Sequence, residues 1–344
     1  MKISIVTIYE PITNYGSFLQ CYALKTFLEQ QGHQVKIVQN VSPLKIITKK
    51  LLTLNPKREM LLRFQKCYYM YKDLKNLDII SRSKWNPFEF DCIIYGSDEI
   101  WNLNNPYFRN QFFWGIGVKT PKIAYAVSCG HMPAEELNKF PQCRDAIADF
   151  NIIFPRDKRT RDLLKSYNNL NEELVCDPTM LVPLSYLSLQ IKVPKRKYIL
   201  VYTYGLSIQH ISLVTRFAKE KDLIIVSPCF WHIWADKVVE CSALQLSTLI
   251  EGAEYVFTTT FHGAVFTLLN HKQCGIFAQR EKVREVVELY GASQHLINEK
   301  CDYNKFCYTL ELPFHEKDFE SRLNDIRIYS QQVLNNTLYA LYHD

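Results

Sequence analysis

Glycine is scarce in this chain, 11 of 344 residues, and none of the glycine-built phosphate loops is present. There is no G-x-G-x-x-G, no G-x-x-x-x-G-K-[ST], no G-x-S-x-G and no H-E-x-x-H. These absences remove the signatures of dinucleotide, P-loop, nucleophile-elbow and zinc-protease chemistry. The 11 cysteines are odd in number and include no C-x-x-C pair. Cys92 in "DCIIYG" and Cys176 in "LVCDPT" sit inside apolar runs, the pattern of reduced, buried thiols in a cytoplasmic protein. No Cys/His cluster has zinc-ligand spacing, so no metal is expected. No apolar run approaches the roughly 20 residues of a membrane span, and the apolar start of "MKISIVTIYEP" is too short for a signal-peptide core. The aromatic residues form no RNP-like or zinc-finger pattern, which argues against a nucleic-acid partner. There is no internal repeat.

What is present is an ordinary globular mixture, 47% hydrophobic and 22% charged, of a length natural for two domains. The formal net charge of +6 is concentrated in one place. Residues 45–75 carry nine Lys/Arg against Glu59 and Asp73, a local +7, so the rest of the chain is close to neutral. Within that segment Met60, Leu61, Phe64, Tyr68, Tyr71 and Leu74 fall at helical spacing, which predicts a basic amphipathic helix. Such a helix suits either a solvated basic face or peripheral contact with anionic lipid.

Along the chain, apolar runs and helical periods alternate. Ile3 to Ile8 reads as a strand, "FLQCYALKTFLEQQG" as a helix ending at Gly32, and "QVKIV" as a second strand. This β-α-β opening predicts a parallel sheet. "DCIIYG", "KIAYAVS", "NIIF" and "ELVCD" continue it as short runs bounded by turns. The proline-marked stretch "DPTMLVPLSYLSLQIKVPKRK" is taken as the domain boundary. A second alternation follows: "YILVYTY", a helix near 208–221, "LIIVS", "AEYVFTT", a helix at His262 and "QCGIFA". Residues 316–342 read as a long helix. The expected division is 1–183, 184–315 and a terminal helix over 316–344. In open parallel sheets ligands bind beyond the carboxyl ends of the strands, so the strand-to-helix loops are the places to search.

Four of these loops carry polar constellations. "TNYGSFLQ" places Asn14, Tyr15, Gly16 and Ser17 at the first helix start, where a small residue lets backbone N–H groups approach a ligand, or where Asn14 merely caps the helix. "YGSDEIWN" offers Ser97, Asp98 and Trp101, an acid and an aromatic suited to a sugar, or a cap with a core tryptophan. "FPRDKRTRDLL" crowds Arg156, Lys158, Arg159 and Arg161 at a helix start, which disfavours cations unless an anion lies there. Arg156 directly follows the strand. "TTTFHGAVF" puts His262 where a strand meets a helix N-terminus.

In chain order these stretches resemble the polysaccharide pyruvyl transferase family. "NYGSFLQCYAL" is similar to its N-Y-G-x-x-L-Q-A-Y-A-L, "YGSDEIWN" to G-S-D-Q-x-W-N, "AYAVSCG" to Y-A-x-S-x-G and "FPRDKRTRDLL" to V-R-E-x-x-x-x-x-L-L. "VCDPTMLVP" resembles D-P-T-L-L-x, and "TTTFHGAVFTLL" resembles T-D-S-F-H-G-x-x-F. Each match is weak alone; their order and spacing are specific. The resemblance implies an α/β, GT-B-like fold of two Rossmann-like domains facing a cleft, with the long C-terminal helix packing back across them. It implies phosphoenolpyruvate as donor, a sugar of a cell-surface or capsular polysaccharide precursor as acceptor, and a pyruvate ketal as product, with no metal or cofactor. By carry-over His262 is catalytic. Arg156, Thr260, Gly263, Arg280 and Lys282 fall on the donor side, and Asn14, Tyr15, Gly16, Gln20, Ser97, Asp98 and Trp101 on the acceptor side.

Three positions depart from the family pattern. Thr260 stands where some members have arginine, Lys282 in "KVREVVELYG" where arginine is usual, and Glu99 where glutamine is usual. Lysine supplies charge without a bidentate fork, and Arg280 or Arg284 is a candidate to compensate. The implied setting is a lipid-linked acceptor at the inner face of the membrane. Two other classes compete: a nucleotide-sugar GT-B glycosyltransferase, although the chain has no E-x7-E pair, and a non-catalytic saccharide-binding member.

Overall fold

The computed structural model describes residues 1–9, 14–39, 73–228 and 230–343. Apart from residues 73–75, the basic segment lies outside them, as does the amphipathic helix expected there.

The described strands form two six-stranded sheets with one plan. The first runs β3-β2-β1-β4-β5-β6 and the second β12-β11-β10-β7-β8-β9. The strands are β1 (Lys2–Val6), β2 (Gln34–Gln39), β3 (Ile79–Ser81), β4 (Cys92–Tyr95), β5 (Lys122–Val127) and β6 (Ile152–Pro155), then β7 (Tyr198–Tyr202), β8 (Ile224–Pro228), β9 (Lys237–Val239), β10 (Tyr255–Thr258), β11 (Cys274–Phe277) and β12 (Leu296–Ile297). All these pairings are parallel. The central strands "CIIY" and "YILVY" are buried throughout, as expected of parallel strands covered on both faces. In each sheet the strand order reverses beside the first strand, between β1 and β4 and between β7 and β10. These are the switch points at which a doubly wound sheet opens a crevice.

The helices that shape that crevice are α1 (Tyr15–Gln30), α2 (Lys158–Leu164), α3 (Ile208–Glu220), α4 (Phe261–Leu269), α5 (Glu281–Leu289) and α6 (Glu316–His343). Helix α1 is buried nearly all round, from Tyr15 to Leu28. An apolar stripe would suffice to cover one sheet, but α1 also meets the second domain: the Tyr15 hydroxyl donates to the Cys241 carbonyl at 2.6 Å. It stops at Gly32, whose φ of +83° is a left-handed terminator. Every residue of α4 is buried.

Helix α6 crosses from one domain to the other. Phe319 packs at its start against Phe314 and Tyr290. Further along, Arg327 Nε and Gln331 Nε2 donate to the Met180 and Leu181 carbonyls of the connecting segment, and Asn335 Nδ2 reaches Gln31 at the end of α1. Ser330 sits buried within the apolar face because its hydroxyl accepts from the Cys176 amide at 2.9 Å.

One expected strand is absent. Glu173–Asp177 of "ELVCD" makes a single bond to β6, from the Val175 amide to the Pro155 carbonyl. Asp177 then caps a 3-10 turn at Pro178–Met180 and turns the chain away. The short edge strands β3, β9 and β12 have too few residues to show a period in the sequence.

Candidate active site

Loops from both switch points meet at α1 and α4. In the first domain Gln20 is fully buried, with Nε2 within 3.2 Å of Thr7 Oγ1 and 2.9 Å of the Ile8 carbonyl. Its Oε1 accepts from the Ser97 amide at 3.2 Å. Gln20 therefore ties the end of β1 to the loop after β4, and its polar atoms are spent on the protein. Asn14 caps α1, accepting from the Ser17 amide. Trp101 is fully buried, stacked on Trp114 at 5.4 Å, and its Nε1 donates to the Phe113 carbonyl. It offers no face to a sugar, so the expected stacking role of Trp101 is corrected. Tyr15 is likewise buried.

Gly16 has a different role from the expected one. A Cβ there would lie 1.8 Å from His262 Nδ1 and 2.2 Å from its Cγ. What approaches the backbone so closely is the imidazole itself, which packs on the first turn of α1. His262 lies in the first turn of α4, and Thr260 is the N-cap, its hydroxyl accepting from the Gly263 amide at 3.0 Å. Gly263 is small because a Cβ would strike Thr258 Oγ1 at 2.1 Å. Thr260 and Gly263 thus build the helix start that presents His262.

Around His262 stand the charged side chains. Arg156 Nη1 donates to Asp177 Oδ2 at 2.7 Å, and its Nη2 lies 3.9 Å from Asp98 Oδ1. Its Nη2 is buried without a hydrogen-bond partner. His262 Nε2 is 3.8 Å from Asp177 Oδ1, beyond hydrogen-bond range, and is also buried and unpartnered. Asp177 is fixed from behind: its Oδ1 accepts from the Thr179 amide and hydroxyl. The guanidinium of Arg156 lies over the Phe261 ring at 4.7 Å and the Lys282 ammonium over it at 5.6 Å, an arrangement favoured by the ring quadrupole. Lys282 also forms a 2.6 Å ion pair with Glu99, both side chains less than one-fifth exposed. The residues at two of the three departures from the family pattern therefore neutralise each other across the cleft. Asp98 holds φ at +74°, left-handed backbone that is costly for a residue with a Cβ.

The electrostatics follow from burial and pairing. Burial drives the His262 pKa below its ordinary value; Asp177 and Asp98 oppose that and Arg156 and Lys282 reinforce it, so the imidazole is neutral at neutral pH. Burial raises Asp98, but the charges of Lys282 and Arg156 and the Glu99 amide outweigh it and hold the carboxyl below its usual range. Asp177 is held low in the same way, burial being outweighed by His262 in its protonated form, by Arg156 and by the Thr179 hydrogen bonds. Glu99 is held low by Lys282 against burial. Two cations thus face three carboxylates.

The remaining candidates spread out. Arg280 is exposed at the N-cap position of α5. Arg284 turns away into a polar groove with Ser207, His210 and Glu299. The cations crowding α2 are offset by Asp157, which caps it. Beside Arg156, Phe261 and Lys282 opens a cavity of about 820 Å³, mouth included, whose far wall is Val175, Met180, Val286, Leu289 and Tyr290. Sequence reasoning assigned no role to Asp177 or Phe261. The D-P-T motif and the aromatic before His262 were the available signals, but the pairing that gives them a role joins separate loops.

A polysaccharide pyruvyl transferase family model matches residues 14–280. No curated protein sequence matches the chain. Among solved structures, it is similar to S. aureus MnaA in a co-structure with UDP, at 13% identity, TM-score 0.57, covering 99% of this chain and 97% of that one. A UDP-N-acetylglucosamine 2-epimerase gives TM-score 0.59 at 9% identity over 100% and 96% of the two chains. The forosaminyltransferase SpnP gives 0.51 at 12% over 99% of each. At such identities the likeness is one of fold, the GT-B arrangement of two Rossmann-like domains. Among the described residues no helix is long and apolar enough to cross a membrane.

Proposed function

The chain belongs to the polysaccharide pyruvyl transferase family, and from its cleft we propose that it moves the pyruvyl group of phosphoenolpyruvate onto a saccharide as a ketal across two hydroxyls. The observation that carries this reading is the buried, unpartnered His262 Nε2 beside Arg156, whose own Nη2 is unpartnered. One group can carry a proton and the other can bind an anion, which are the two needs of an enol phosphate.

In this reaction the donor's bond to phosphate breaks and two bonds to sugar oxygens form. One hydroxyl proton goes to the methylene carbon and the other leaves with phosphate, so no net proton is required. His262 is the shuttle. The donor's negative charge raises its basicity, Asp177 stabilises the imidazolium, and the proton passes to the methylene carbon or to phosphate. The neutral ring then takes the proton of the attacking hydroxyl. Arg156, held by Asp177, meets the donor carboxylate or phosphate through Nη2. Lys282 joins it by exchanging Glu99 for the donor. The chemistry asks for no metal or cofactor. The +7 segment over 45–75 supports a lipid-linked acceptor, from a capsule or other envelope polysaccharide, met at an anionic membrane surface.

The test is to incubate the protein with phosphoenolpyruvate and a lipid-linked oligosaccharide, then measure phosphate release and acceptor mass. A pyruvate-sized gain with phosphate is expected. Release of a nucleotide from a sugar donor instead would replace this reading, and a His262→Ala variant as active as the parent would remove His262 from the mechanism.

A further inference from the structure

Phe261 is buried in the apolar cluster that spans both domains, yet three polar groups of the site meet its ring. The Arg156 guanidinium carbon lies 4.7 Å from the ring centroid and the Lys282 ammonium 5.6 Å. The His262 imidazole stands nearly perpendicular to the ring, at 5.0 Å and 82°. Arg156 follows β6 of the first domain, whereas Phe261 and Lys282 belong to α4 and α5 of the second. The ring is therefore the surface on which a cation of one domain is set beside a cation of the other. All three residues line the same cavity.

Several forces oppose that placement. Like charges repel. Phe261 is the first residue of α4, and the positive pole of a helix start disfavours cations. Arg156 is only 7% exposed, and taking a charge out of water is costly unless it is well partnered. Carboxylates answer part of this: Asp177 accepts from Arg156 Nη1 at 2.7 Å, and Glu99 pairs with Lys282 at 2.6 Å. Both act at the edge of a cation, and neither covers the flat face of the guanidinium. An aromatic face does, through its quadrupole, and it carries no net charge. A third carboxylate in that place would hold the cations too, but it would repel an arriving anion. With Nη1 on Asp177 and its face on the ring, the guanidinium plane is fixed by two contacts, and Nη2 is left buried without a partner.

We propose that Phe261 is a positioning residue for the donor: its ring face sets Arg156 and Lys282 side by side where the donor's anionic groups arrive. This rests on the reading of phosphoenolpyruvate as donor. Phe261 acts through the two cations and takes no part in the proton transfers.

The experiment changes the charge distribution of the ring at nearly constant shape. The full chain is made with phenylalanine or its mono-, di- or trifluorinated analogue at position 261, and as Phe261→Leu, with thermal melting as the fold check. Fluorine withdraws electron density from the ring face. Phosphoenolpyruvate affinity, measured by calorimetry, should fall stepwise with each fluorine and reach a loss of about three- to thirtyfold at the trifluorinated ring. Equal affinity across the fluorinated series overturns the proposal, even where Phe261→Leu binds weakly, because a ring that only fills space is indifferent to fluorine. A measurement without ligand separates this from the donor assignment. In protein labelled with nitrogen-15 arginine, the Arg156 guanidinium resonances, assigned with Arg156→Lys, should be shifted upfield by the ring current and lose that shift in Phe261→Leu. Absence of the shift in the parent overturns the proposal. A shifted Arg156 in a parent that binds no phosphoenolpyruvate would sink the donor assignment and leave the placing of Arg156 by Phe261 standing.

Discussion

Replacing Glu99 by glutamine, the residue usual in the family, probes how this cleft accepts an anion. Lys282 is held by Glu99 at 2.6 Å, with both groups largely shielded from water. A donor reaching Lys282 must share it with that carboxylate. Two anionic groups about 5 Å apart repel by about 3 kcal/mol at an effective dielectric near 20. Solvent, salt and rearrangement of the lysine cut this to about 1.5 kcal/mol, close to tenfold in affinity. The amide keeps the hydrogen-bond geometry with Asn102, which now donates to Glu99 Oε2 at 3.2 Å, so the loop should hold its shape. Calorimetric titration of phosphoenolpyruvate into the parent and Glu99→Gln at low and high salt should give about tenfold tighter binding by the variant at low salt. The advantage should shrink as salt rises. Equal or weaker binding by a folded variant would show that Lys282 does not meet the donor, and the charge argument would fail with it.

Gly16→Ala places a methyl where the His262 ring now lies, 1.8 Å from Nδ1. Overpacking of this kind costs about 1–3 kcal/mol, and a displaced shuttle should lower turnover about a hundredfold; kcat beside thermal melting checks both, and unchanged kcat would show that α1 does not orient the ring. Asp73 bridges the domains by accepting from the Ala243 amide at 2.9 Å, and burial raises its pKa from 3.8 to about 6. A raised carboxyl contributes stability below its ordinary range that is lost as pH rises through about 6, here up to about 3 kcal/mol. Urea denaturation at pH values between about 4 and 7 should show the parent losing stability relative to Asp73→Asn as pH rises, and parallel curves would refute the assignment.

Much of the fold was legible from periodicity. The runs "CIIY" and "YILVY", unbroken by polar residues, declare strands buried on both faces. Gly32 marks the end of α1, and the apolar spacing over 316–342 marks α6. "ELVCD" misled because the same apolar run serves as a covered connection once Asp177 and Pro178 turn it. Arg156 and His262 were legible as strand-to-helix residues, while Trp101 carried the composition of a sugar platform and proved to be core.

The sequence by itself determined which residues carry charge, where strands yield to helices, and the ordered motifs that mark the family. Local pattern suffices for these because strand and helix periods, caps and turns act over a few residues. The tertiary structure alone decided that Glu99 cancels Lys282, that Asp177 stands between Arg156 and His262, and that Gly16 is small to admit an imidazole from the other domain. Those relations join residues from 21 to 246 positions apart in the chain. Distance and burial set their energies, and neither is written in a local pattern.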